Sequence, residues 1–282
     1  MKRVSLIILS IVFITSACQE DQPSIQNNYE NQIEGLNNLY SASLNTISSQ
    51  FGSISYNADD EVSSMTKNVI VHSAEFIDTQ YFIDHEFSKN EVDLIAENST
   101  SLLTSSSSAR ILQSGLIDNG HYTPEQIELL EPFIEQLLSG DFLSSANQVV
   151  ESFNQIVINS DLSDERKFEL LSVGAAANAS ADFLNNGGVD VIASELDIAY
   201  SSNGRVQGCS VSSRNVLASA VVGLAGGAAT GGYVGATAGT FTVPILGTAV
   251  GGVGGAVFGG AAGFVGGLIS GVAAELLTSC GR

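Results

Sequence analysis

Apolar residues recur at steps of three and four along most of residues 25–200, the spacing of helices that bury one face. Ile25, Tyr29, Ile33, Leu36, Tyr40, Leu44, Ile47 and Phe51 mark a long first helix, and Val62, Met65, Val69, Phe76 and Ile77 a second that runs to about Phe82. Ser88 with Glu91 reads as a capping box opening a third helix through Val92, Ile95, Leu102, Leu103 and Ile111, with a doubtful middle at residues 105–108. Thr123-Pro124-Glu125-Gln126 is a stronger start signal: a Thr cap, proline at the first helical position and Gln at the third. It predicts a helix through Ile127, Leu130, Ile134 and Leu138, with a kink at Pro132. Ser139-Gly140-Asp141 breaks the chain before a helix over 142–158. Ser163 caps the next, through Phe168, Leu171 and Ala175 to Leu184, and residues 185–188 stop it before a last short helix in 189–200. Alternating runs are few, so the expected fold class is all-α, an acidic helical bundle followed by a glycine-zipper hairpin.

After a small and polar linker at 201–213 the pattern changes. Between Arg214 and Glu275 there is no charged residue, and glycine returns at every fourth position: Gly223, Gly227, Gly231, Gly235 and Gly239, then Gly247, Gly251, Gly255, Gly259, Gly263, Gly267 and Gly271. Two helices are expected, over about 214–240 and 246–277, joined by a turn at 241–245 that contains Pro244. Glycine inside a water-exposed helix costs roughly 1 kcal/mol relative to alanine. In hydrocarbon the chain must satisfy its own amides, and a glycine stripe lets two helices meet backbone to backbone. Each helix exceeds the roughly 20 residues that cross a bilayer core, so the hairpin is expected in a membrane, the alternative being a hairpin kept out of lipid, folded against the chain's own helices or assembled as a surface aggregate. A four-residue step gains about 40° per turn, so the stripe winds around its helix. Gly252, Gly260 and Gly266 open a second surface, from which helix two is expected to touch either another copy or the acidic domain. Homo-oligomerisation through the zipper is the partner expectation.

The chain ends and the charge refine this picture. Met1-Lys2-Arg3, an apolar run at 4–14 and Thr15-Ser16-Ala17-Cys18 make an export signal, the run being short for an anchor helix. The chain carries 10 basic and 30 acidic residues, so removal of Lys2 and Arg3 leaves a formal charge of minus 22. Such a charge repels nucleic acid, which is excluded as a partner, and favours solubility. Cys209 and Cys280 have their midpoint between Pro244 and Ile245, inside the expected turn. Antiparallel helices of matched length would bring them together, and an exported protein meets an oxidising compartment, so a disulfide is expected.

Catalytic and metal chemistry find little support. His72 with Glu75, and Asp84-His85-Glu86, lack zinc spacing and read as solvated helix faces. Ser114 lacks a nucleophile-elbow pattern. The acidic pairs Asp59-Asp60 and Asp164-Glu165 suit helix starts. The glycine region has no lysine with which to cradle a phosphate. No catalytic residue, metal or cofactor is assigned, and the chain is read as a non-enzyme.

The small-small-Cys ending at Ser16-Ala17-Cys18 resembles the bacterial lipobox, although Thr15 stands where that family prefers Leu, Val or Ile. The resemblance implies that residues 1–17 are removed and that Cys18 carries the lipid, with residues 18–24 as a tether. Gln19-Glu20-Asp21-Gln22 resembles the surface-export signal of lipoproteins in the Bacteroidota, implying the outer membrane and its outer face. With the hairpin at about 216–274, the chain is similar to the glycine-zipper two-transmembrane outer-membrane lipoproteins of the SlyB type. That likeness implies an envelope protein with a structural or interaction role, contacts with membrane lipid, and no enzymatic activity. The Gly- and Ala-rich hairpin also resembles glycine-zipper bacteriocins and contact-dependent toxins, in which it would attack a neighbour's membrane with residues 25–200 as carrier or shield.

Overall fold

The structure, a computed structural model, describes residues 25–54, 62–82, 86–105, 122–139, 141–198, 210–236, 240–243 and 247–280. Nine helices follow one another in the described chain: α1 (Ile25–Ser49), α2 (Val62–Tyr81), α3 (Lys89–Ser105), α4 (Pro124–Leu137), α5 (Phe142–Ile158), α6 (Asp164–Asn185), α7 (Gly188–Glu195), α8 (Ser213–Gly235) and α9 (Gly251–Ser279). The fold class is all-α. A short antiparallel ribbon, β1 (Thr240–Val243) with β2 (Gly247–Val250), joins α8 to α9 and pairs Thr240 with Val250 and Val243 with Gly247.

Local chemistry sets several helix starts. At α3 the Ser88 backbone N–H and hydroxyl both donate to Glu91 Oε2 at 2.7 Å. At α4 the Thr123 hydroxyl accepts from the Gln126 N–H while Gln126 Oε1 accepts from the Thr123 N–H, so both free ends are satisfied reciprocally. The helix continues through Pro132 to Leu137. Ser163 caps α6, which stops where Gly187 takes a left-handed conformation (φ 86°) that a side chain would resist.

The second half of the hairpin departs from the expected helix. Residues 240–243 and 247–250 form the ribbon, and α8 ends at Gly235 while α9 starts at Gly251. Thr240, Thr242, Val243, Thr248 and Val250 are β-branched, stiff at χ1 and suited to a pleated strand, and the four-residue glycine period outweighed that signal in the sequence.

The helices stack in layers around α8 and α9. On one side α2 packs along α9 and α3 along α8. On the other lie α1, α6 and α7, and α4 and α5 pack against the outer face of α6. The sequence separates residues 25–200 from residues 214–282, yet buried side chains of both segments belong to one continuous core. The cause is the composition of α9. A helix that is apolar all round has no face to give to water and must be covered on every side, while α1–α5 each carry one apolar stripe that needs a partner. Most of the acidic residues lie on the outer faces, where water solvates their charge.

At the start of α6, Asp164 accepts a hydrogen bond from the Tyr29 hydroxyl of α1. Burial first, then this bond and the carboxylate charge, push the Tyr29 phenol up to about 12 from its ordinary value near 10. The folded chain therefore keeps a proton that the unfolded chain releases near pH 10. The associated stability is whole below pH 10 and is lost as pH rises through about 12. Thermal unfolding from pH 8 to 12 is expected to show a shallower alkaline fall for Tyr29→Phe than for the natural chain. Parallel curves would show that this phenol does not contribute.

Candidate functional site

The seam between α8 and α9 is made of main chain. The helices run antiparallel, and the glycines mesh in register: Gly223 lies against Gly263 and Gly267, Gly227 against Gly259 and Gly263, Gly231 against Gly255 and Gly259, and Gly235 against Gly255. A Cβ on Gly227 would stand inside the Gly259 carbonyl oxygen and 3.2 Å from the Gly263 Cα. A Cβ on Gly255 would stand 2.7 Å from the Gly235 Cα. No larger residue fits while the helices hold this separation, which is why the stripe is glycine at each of these steps.

The seam differs from the sequence reading at its ends. Gly239 lies outside the described residues, Gly247 sits in β2 opposite Val243 instead of on a helix, and Gly251 is the first residue of α9. At the other end the α8 partner is a serine: Gly267 and Gly271 both close on Ser219. Ser219 sits four residues before Gly223, so the same period continued one step would have found it.

Outside the seam the hairpin meets the rest of the chain closely. Gly266 of α9 receives Ile70 of α2, and Gly226 of α8 receives Leu102 and Ser99 of α3. Asn98 Nδ2 donates to Thr230 Oγ1 at 3.3 Å. Phe258 stacks on Phe87 with centroids 3.8 Å apart and meets Phe82 edge-on at 5.3 Å. From the opposite layer Tyr40 of α1 meets Phe264 edge-on at 5.0 Å and shares a hydrogen bond with the Ser172 hydroxyl of α6. Burial raises the Tyr40 phenol far above its ordinary value, so it stays neutral. The second surface that the sequence assigns to α9 is thus occupied by the chain's own helices. Gly266 is part of it, Gly260 faces Ala228, and Gly252 has only the Gly232 carbonyl nearby at 3.8 Å.

The hairpin's one carboxylate closes its open end. Glu275 accepts from the Ser212 N–H at 3.1 Å and from Asn215 Nδ2 at 2.7 Å, fastening the start of α8 to the last turns of α9. Beyond it Cys280 is disulfide-bonded and half-buried. Cys209 and Cys18 lie outside the described residues.

Of the side chains weighed for chemistry, His72 only reaches the Asn68 carbonyl, 3.2 Å from Nδ1. Asp84, His85 and Ser114 fall outside the described residues. Among the described residues no three His, Cys, Asp or Glu side chains gather as a metal set. What stands out instead is length and composition: α8 and α9 are each long and apolar enough to cross a membrane, and the most apolar stretch of α9 is wholly buried inside the bundle. The chain matches no family model, no curated protein and no solved structure.

Proposed function

We propose that the chain is a lipid-anchored protein of the outer membrane, displayed on its outer face, that holds a membrane-competent hairpin inside its own acidic helices and inserts it into the bilayer to which it is tethered. The role is structural or interactive, not enzymatic. The observation that carries this reading is the enclosure of α9: a helix suited to lipid in length and composition is kept from water on every side by the chain itself. Storing the hairpin in this way lets an apolar segment travel through aqueous compartments before it meets lipid.

The disulfide belongs to the same reading. With Ser212 fastened to Glu275, the chain just before α8 runs beside the end of α9, which supports Cys209 as the partner of Cys280. Homo-oligomers through the zipper would require α8 and α9 to part, because the glycine faces that could join two copies are spent on each other within the chain. A second reading, delivery into a neighbouring cell's membrane, is favoured by the sheath around α9, which is what a protein carrying such a helix across water to another bilayer requires.

The test uses the mature chain carrying Cys18→Ser, added to phosphatidylcholine vesicles. A fraction that resists carbonate extraction and leaves a protease-protected fragment spanning the hairpin is the expected result. Complete release by carbonate would overturn insertion and leave a bundle held to the membrane by its lipid alone.

A further inference from the structure

The geometry points to the β1–β2 end of the bundle as the face that meets the membrane, with a zwitterionic phospholipid surface as its partner. This rests on the lipid-anchored reading above, and adds to it which end of the protein faces the bilayer and which part of the hairpin enters first.

Helix directions place the tether and the ribbon together. The Tyr29 hydroxyl meets Asp164 and the Tyr40 hydroxyl meets Ser172, so α1 and α6 run parallel. Tyr40 sets Ser172 level with Phe264, and Glu169 of α6 lines one small gap with Ala256, Val257 and Gly260 on the N-terminal side of that level in both helices, so α6 also runs with α9. Tyr40 lies beside Phe264. Counting back the same number of residues from both, Tyr29 comes level with Val253, two residues into α9 and next to the ribbon. Only residues 19–24 separate Cys18 from Ile25, a reach of roughly 20 Å when extended. A lipid on Cys18 therefore holds this end of the bundle against the surface. The opposite end carries Gly52 bound to Glu195, the Glu275 clasp and Cys280, a bundle length away.

The chemistry of the ribbon end suits lipid. Phe241, Val243 and Ala249 alternate with threonines at 240, 242 and 248, and the whole stretch is uncharged. On the last turns of α8, Tyr233 is 75 % exposed, the most exposed of the large apolar side chains described. Tyrosine with a free ring and a polar tip is favoured at the headgroup level. Around this end Glu30 and Glu34 of α1 and Asp164, Glu165 and Glu169 of α6 outnumber Arg166, which pairs with Glu169, and Lys167, and the excess negative charge disfavours anionic headgroups and selects the zwitterionic ones.

The chain has no tryptophan, so a single introduced indole reports its own surroundings. Acylated mature protein carrying Tyr233→Trp, Phe241→Trp or, at the far end on α7, Val191→Trp is to be reconstituted on phosphatidylcholine vesicles containing brominated lipid. The two ribbon-end reporters are expected to be quenched at least threefold more than the reporter at 191. Tyr233 is exposed, so its replacement keeps the reporter usable even where Phe241→Trp disturbs the ribbon. Part-replacement of the vesicles by anionic lipid is expected to lower the quenching at 233, and salt to restore it. Equal quenching at 191, or ribbon-end reporters that stay open to aqueous iodide while the protein floats with the vesicles, would overturn the orientation and leave the anchored reading standing. Acylated protein that fails to float with vesicles would overturn both.

Discussion

Gly227→Leu is expected to cost about 3 kcal/mol or more and to lower the melting temperature by about 10 °C, as large an effect as any single substitution along the seam. The reason is geometric. The first atom of any side chain at 227 meets main chain on both sides, the Gly259 carbonyl and the Gly263 Cα, and neither can rotate away as a side chain would. The helices must separate along their whole contact, since the neighbouring steps at Gly223 and Gly231 are equally tight. Separation also pulls α3 from Gly226 and α2 from Gly266. Gly252→Ala is the internal control, with its nearest neighbour at 3.8 Å, and is expected to be neutral or slightly stabilising through helix propensity. Thermal unfolding by circular dichroism separates the two; an unchanged midpoint for Gly227→Leu would show that the seam is not what holds α8 to α9.

Cys280→Ser is expected to cost about 4 kcal/mol, because the proposed bond to Cys209 closes a loop of roughly 70 residues and so restricts the unfolded chain, in the chain-entropy account. Denaturant titration should give the same loss for Cys209→Ser, and the double variant should lose no more than either single one. That equality is the signature of a bonded pair. Losses that add would mean that Cys280 has another partner.

Much of the fold is legible wherever a few adjacent residues decide the outcome. Ser88 with Glu91, Thr123 with Gln126, and Ser163 at α6 mark helix starts because capping is a contact within one turn. The glycine stripe is legible for a related reason: only close main-chain approach needs glycine at repeated helical steps. The ribbon is not, since its β-branched residues are interleaved with glycines that continue the helical period. Nor is the position of the hairpin inside the bundle. The apolar stripes of α2 and α3 specify that something apolar covers them, and a lipid-suited helix satisfies that demand as well as an ordinary core helix does. Gly226 falls off the main stripe, and its reason for being glycine, Leu102 and Ser99 of α3, is more than a hundred residues away in sequence.

A seam whose glycine steps set main chain against main chain, with Ser219 and Ala228 as its small side chains, has few rotamers to freeze and little side-chain surface whose solvation changes with its surroundings. The joint between α8 and α9 is therefore indifferent to what lies beyond it, whether Ile70 and Leu102 or acyl chains. The two helices can change neighbours as a single rigid rod, and the energetic difference between the stored and the inserted forms falls on their outer faces only.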